Sequence, residues 1–148
     1  MKKKDIILIV SLIVLISGLF LIYTLTQKPA GNIARVYHEN KVVIEVDFTT
    51  KEINTFNQDG FPDYPKETNP VTDEGADKAF IIMGSYLIDD KRTEVVIEID
   101  FDNNQLRIEK DNTPKQIGVS RDWYNGKGLP VISLPNQVFI IFEEKIDD

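Results

Sequence analysis

The first 25 residues constrain this chain more than any other stretch. Lys2, Lys3 and Lys4 precede an unbroken run from Ile6 to Leu25 that holds no charged residue. Its only polar members are Ser11, Ser17, Tyr23 and Thr24. At about 1.5 Å rise per residue the run spans roughly 30 Å as a helix, the thickness of a hydrocarbon core. A helix satisfies its own backbone hydrogen bonds, which lipid cannot do. A cleaved signal peptide would have an apolar region of about 7–15 residues and a small-residue cleavage site. Leu25-Thr26-Gln27-Lys28 is a poor site of that kind, so an uncleaved signal anchor is expected. The lysines place residues 1–5 in the cytoplasm and the remainder outside.

The residues after the run form one ordinary domain in size. The chain contains no cysteine, which excludes disulfides, thiolate metal sites, a cysteine nucleophile and a lipoprotein anchor. The chain carries a formal charge of −7; Lys2–Lys4 and Asp5 contribute +2 of that, leaving −9 on the rest. So acidic a domain lacks the clustered Lys and Arg that nucleic-acid phosphates require. The same charge disfavours lying flat on anionic lipid and suits solubility.

Residues 26–32 read as a short linker carrying Pro29 and Gly31. From Ile33 the periodicity becomes that of strands. Ile33–Tyr37 and Val42–Phe48 flank a turn at His38-Glu39-Asn40, and Val42, Ile44, Val46 and Phe48 alternate with Val43, Glu45 and Asp47. That is the period of a half-buried strand. Ala79–Ile88, Thr93–Phe101, Gln105–Lys110, Val131–Leu134 and Gln137–Phe142 complete the set, with Pro135 at a bend or edge. In Thr93–Phe101 the row Val95, Ile97, Ile99, Phe101 lies on one face and Glu94, Val96, Glu98, Asp100 on the other. Pro114–Val119 suits one helical turn. Thr49–Lys78, rich in Gly, Pro, Asn and Asp, reads as a long loop whose Phe56, Phe61 and Tyr64 tack it onto the domain. Residues 144–148 read as a frayed tail. The expected fold is all-β: a small barrel or sandwich of about seven strands, spanning 33–143, behind one transmembrane α-helix at 6–25.

The last third carries an ordered pattern. Thr113-Pro114-Lys115-Gln116-Ile117-Gly118-Val119 is followed by Trp123, then Gly128, then Val131-Ile132-Ser133-Leu134-Pro135-Asn136. With the lysine-led apolar helix and the hairpins at 34–48 and 101–108, this resembles the NusG domain II family of small membrane-anchored bacterial proteins. The resemblance implies a compact extracytoplasmic β domain in which Pro114, Trp123, Leu134, Pro135 and Asn136 are structural. It implies no transcription elongation activity. It implies a similarity to accessory proteins of flavin-based extracellular electron transfer. It also implies a departure: relatives carry cysteines where this chain has Thr113, Gly118 and Ser133, so thiol chemistry at that corner is absent and a scaffold role is favoured.

Candidate sites are few. Arg121, Trp123 and Tyr124 are the residue types that dominate interfaces; Trp123 doubles as a corner residue, and Arg121 and Tyr124 are expected to face a partner. Asp100, Asp102, Asn104 and Asp111 have the spacing of calcium-loop positions 1, 3, 5 and 12, but Gln105 stands where glycine is needed. Turn chemistry explains them better. Asp63, Glu67, Asp73, Glu74 and Asp77 read as a solvated acidic loop. His38 is the only histidine and has no nucleophile pattern beside it. Gly126-Lys127-Gly128 is too short for a phosphate loop. The expectation is no catalytic residue, no cofactor, no small-molecule substrate and no nucleic acid. The partners are the membrane itself and a membrane protein, in a redox or transport complex, with a ligand- or cation-binding sensor as the alternative.

Overall fold

A computed structural model of the chain describes residues 1–26, 31–71 and 75–144. Most of the proposed linker and the tail from Lys145 lie outside them, as do Asp73 and Glu74.

The apolar run forms one helix, α1 (Lys3–Thr26), with no buried residue. Among the described residues it is the one helix long and apolar enough to cross a membrane. Two of its polar side chains, Ser11 and Thr24, turn inward on its own backbone. Ser11 Oγ donates to Leu8 O at 2.8 Å, and Thr24 Oγ1 to Leu21 O at 2.9 Å. Each hydroxyl is therefore satisfied without water.

Nine strands follow among the described residues. They are β1 (Ile33–His38), β2 (Lys41–Asp47), β3 (Glu52–Thr55), β4 (Lys66–Thr68), β5 (Lys78–Ile88), β6 (Lys91–Asp100), β7 (Gln105–Lys110), β8 (Val131–Ser133) and β9 (Val138–Glu143). One helical turn, α2 (Ile117–Ser120), precedes β8. The strands make two antiparallel sheets, ordered β3-β2-β1-β9-β8 and β4-β5-β6-β7. The arrangement is an open sandwich, not a closed barrel.

The two strands beyond the expected seven are β3 and β4, both inside the segment read as loop. Neither has an amphipathic pattern of its own; each is short and lies at a sheet edge against a strand already formed. The turn into β3 is built by Asp47, whose Oδ1 accepts from Thr49 N at 2.8 Å and Thr50 N at 3.2 Å. Elsewhere the turns are short. Glu39-Asn40 and Asp89-Asp90 each carry two positive φ angles, the geometry that matches strand twist in two-residue hairpins. α2 begins later than expected because Gln116 is left-handed, with φ 46° and ψ 41°.

The core lies between the sheets. Val36, Ile44, Val46, Ile82, Val95, Ile97, Ile99, Leu106, Ile108 and Ile140 are wholly buried. Phe48 stacks on Phe142 with centroids 5.5 Å apart. The period-2 reading of β6 holds for its inner face. Its outer face departs from it, since Glu98 and Asp100 are also buried. Glu98 receives Arg107 Nε at 3.0 Å and Nη2 at 2.9 Å on one oxygen, and Val71 N at 2.8 Å on the other. The end of the long segment is thus drawn over that face. A charge so buried is tolerated only because it is paired.

Candidate functional site

The pattern from Thr113 to Asn136 assembles one corner of the sandwich. Its centre is Asn136, fully buried in the turn between β8 and β9. The pairing of β5 with β6 breaks between Met83 and Leu87, which leaves Tyr86 without a ladder partner. Asn136 fills that gap. Its Oδ1 accepts from Tyr86 N at 3.1 Å and Thr93 Oγ1 at 2.7 Å, while its Nδ2 donates to Asp111 O at 2.8 Å. Its backbone O accepts from Ser85 N at 3.3 Å. One carboxamide therefore joins both sheets and the end of β7. Gly84 makes room for it, because a Cβ there would overlap the Asn136 carboxamide.

Asp111 is the second hub. Its carboxylate accepts from Thr113 N at 3.0 Å, Thr113 Oγ1 at 2.9 Å and Ser133 Oγ at 3.0 Å. Both hydroxyls point into the protein, so the surface above them is apolar. There a cleft of about 230 Å³ is lined by Tyr86, Thr113, Pro114, Lys115, Ile117, Ser133 and Pro135. Ile117 and Leu134 stand 58% and 67% exposed. Leu87 and Ile88 continue β5 past Tyr86, also exposed. Where the resemblance implies cysteines, Gly118 and Ser133 face each other: a Cβ at Gly118 would lie 3.3 Å from Ser133 Cβ. The Asp111 hydrogen bonds and close packing hold the corner here.

The expected recognition segment is distributed differently. Tyr124 is a core residue, only 4% exposed. Paired backbone bonds with Leu106, at 3.0 and 2.9 Å, pull it inward, and its ring meets Phe142 edge-on at 5.4 Å. It does not face a partner. Burial raises its phenol pKa. Trp123 is the half-exposed member, with the Arg107 guanidinium 4.4 Å above its ring. Arg107 also reaches Asp122 Oδ1 at 3.2 Å, so Trp123 covers the buried ion pair of β6 and β7. Arg121 is exposed, and donates to Lys127 O at 3.3 Å and Leu129 O at 3.1 Å. It orders the loop before β8.

The calcium-loop spacing does not become a site. Asp100 and Asp111 sit at opposite ends of β7, about 20 Å apart at strand rise. Asp100 is spent on its own turn, accepting from Asp102 N, Asn103 N, Asn103 Nδ2 and Gln105 Nε2 at 2.8–3.1 Å. Burial pushes its pKa up, but these four bonds outweigh it and hold the carboxyl below its ordinary value. Asp102 is exposed near Lys51, and Asn104 closes the turn with φ 50°. Among the described residues no group of three or more acidic or histidine side chains could hold a metal.

His38, at the end of β1, is buried between β5 and the segment before β4. Its Nδ1 meets Gln58 Nε2 at 2.9 Å, and its Nε2 meets Ser85 Oγ at 3.0 Å. Ser85 Oγ donates to Glu39 Oε1 at 2.5 Å. Sequence reading missed this cluster, because 47 positions separate His38 from Ser85.

The fold and its corner define a small two-sheet domain behind one apolar helix. The chain belongs to the NusG domain II family, whose model matches residues 6–145. Among solved structures it is similar to the Lin0431 protein from Listeria innocua, at 18% identity and a TM-score of 0.46, covering 77% of this chain and 97% of that one. It is also similar to a DUF1312 family protein, EF3258, from Enterococcus faecalis V583, at 20% identity and a TM-score of 0.42, covering 77% and 98%. No curated protein matches.

Proposed function

We propose that this protein is a membrane-tethered, non-enzymatic docking module, and that its docking face is the apolar corner. The observation that carries this is the cleft of about 230 Å³ with Ile117 and Leu134 exposed beside it. Single exposed apolar residues are ordinary, whereas a cleft with apolar walls and an apolar rim is the usual form of a contact site.

The corner's position supports the reading. The chain enters the domain at Ile33, and β1 carries it about 17 Å to His38, which pairs with Val138 beside the β8–β9 turn. The cleft therefore lies at the far end of the sandwich from the attachment of the anchor. With α1 in the cytoplasmic membrane and the β domain outside, the short linker read from the sequence keeps the domain within reach of the membrane, with the cleft on its distal end. The occupant fitted to these conditions is an apolar segment in the extracytoplasmic part of a second membrane protein. The family resemblance extends this to complexes of membrane redox chemistry or transport, which the domain would assist as a scaffold.

The chemistry of the buried cluster supports a non-enzymatic reading. Ser85 spends its proton on Glu39, and His38 is held as the donor toward Ser85, the reverse of what nucleophile activation needs.

A photocrosslinking residue at position 134 of the full chain, in native membranes, tests the proposal. A discrete crosslinked membrane protein is expected. It should disappear with Ile117→Asp, while thermal unfolding followed by Trp123 fluorescence stays unchanged. Crosslinks to lipid alone, from a protein that extracts as a lone monomer in mild detergent, would sink it.

A further inference from the structure

We propose that His38 and Gln58 form an acid-sensitive latch, which holds residues 57–65 against β5 when His38 is neutral and releases them when it is protonated. The Gln58 amide is held in one orientation. Gln58 Oε1 accepts from Met83 N at 2.8 Å, and Gln58 Nε2 donates to Met83 O at 2.9 Å. These two bonds to one residue's backbone fix which end is oxygen and which is nitrogen. It follows that Nε2, a donor only, faces His38 Nδ1. His38 Nδ1 must therefore be bare, and its proton sits on Nε2, directed at Ser85 Oγ. Ser85 passes its own proton to Glu39. The chain of donors has one consistent direction.

Protonation of His38 breaks that consistency. A proton on Nδ1 would oppose the Gln58 amino group. Turning the amide would satisfy the ring but set like against like at both Met83 groups. The cluster cannot accommodate the second proton without giving up Gln58. The surrounding charges are Glu39 beside it in the turn, Lys41 on β2, Asp59 in the held segment and Arg92 on β6. Lys41 is paired with Asp59, and Arg92 lies 3.4 Å from Glu39. Glu39, 3.7 Å from Nε2, favours the charged ring. Burial and Arg92 oppose it, and burial dominates, so the His38 pKa lies below its ordinary 6.5.

Gln58 is the held segment's buried polar anchor, 5% exposed. The rest of the segment folds on itself, with Phe61 N donating to Gln58 O and Gln58 N to Tyr64 O, each at 3.0 Å. Upstream, Phe56 N donates to Val43 O at 2.9 Å and marks where the segment is tied to β2. Beyond Phe56 its other outward attachments are exposed or half-exposed: Lys41 with Asp59, Arg92 over the Phe61 ring at 5.2 Å, and Tyr64 Oη to Glu94 at 3.4 Å. Such contacts contribute little each. Losing Gln58 therefore frees the segment while both sheets remain.

The sign follows from linkage. A histidine whose pKa is depressed in the latched state stabilises that state fully above pH 6.5 and progressively less below it. Opening should rise by up to about tenfold per pH unit below 6.5, until the latched pKa is reached. Amide exchange of the full chain in detergent micelles, between pH 8 and pH 5 and corrected for intrinsic rates, reads this directly. Met83 N–H and Tyr64 N–H should lose protection as pH falls, with the core of β6 unchanged. The His38 ring resonances, from the one histidine in the chain, should titrate over the same range. Gln58→Leu should abolish the protection of Met83 N–H at every pH. Gln58→Glu, which accepts from a charged ring, should move the His38 titration upward. Protection independent of pH in the wild type overturns the latch. So does a His38 titration unmoved by Gln58→Glu.

Discussion

Removing the Asn136 carboxamide tests the account of the corner most directly. In Asn136→Ala, Tyr86 N–H loses its acceptor and Asp111 C=O loses its donor. Thr93 retains Tyr86 O at 3.1 Å, so its hydroxyl is not stranded. Two groups left unpaired, the Asp111 carbonyl buried and the Tyr86 N–H half-buried, cost about 1–3 kcal/mol each, so the change should destabilise by roughly 2–6 kcal/mol. That is a large fraction of the roughly 5–15 kcal/mol typical of a domain. Urea unfolding of the full chain in detergent, followed by the single tryptophan, Trp123, measures it. Gly84→Ala supplies the control. Its new Cβ would occupy the carboxamide's place and expel Asn136. The cost should resemble that of Asn136→Ala. In the Asn136→Ala background the obstruction is gone and Gly84→Ala should cost little. The pair should thus couple by about 2 kcal/mol or more, within the range seen for residues in direct contact. Additive costs, or an Asn136→Ala loss below about 1 kcal/mol, would refute the reasoning.

Three further outcomes follow from the same geometry. Arg107→Met strands the fully buried Glu98 and should cost about 3–5 kcal/mol by urea unfolding, and replacing Glu98 by Met as well should recover much of it. Gly118→Cys combined with Ser133→Cys should oxidise to a disulfide, seen as the loss of two hydrogens by mass, and stabilise by up to about 3 kcal/mol for a loop of this length; free thiols under oxidising conditions would contradict the corner's geometry. Asp100→Ala should lower the urea midpoint at pH 7 but much less at pH 3, since a carboxyl with a depressed pKa contributes its stability above the unfolded value of 3.8 and loses it as pH falls.

The apolar helix, the all-β class and most strand positions were legible in the sequence because each rests on local periodicity. β7 spans Gln105–Lys110 as read, since Leu106 and Ile108 alternate with Arg107 and Glu109 across a hairpin whose turn is also local. The Pro135 bend was visible from the constraint that proline itself carries, whereas the helical turn read at Pro114–Val119 begins only at Ile117. What periodicity could not show is pairing between distant segments. β3 and β4 became strands because an edge was offered to them. Tyr124 was drawn into the core by Leu106, a residue 18 positions away whose backbone lay open at the edge of a sheet.

The sequence alone therefore determined where the chain could cross lipid, how acidic the remainder would be, and which residues would line the inner faces of the strands. These depend on hydrophobicity and charge, which each residue carries wherever it is placed. Only the tertiary structure decided which polar side chains meet. Asn136 with Tyr86, Asp111 with Ser133, Glu98 with Arg107 and His38 with Gln58 are separated by 50, 22, 9 and 20 positions. A hydrogen bond depends on direction and on a few tenths of an ångström. That accuracy arises only after the two sheets have packed and the bulge in β5 has left its backbone open.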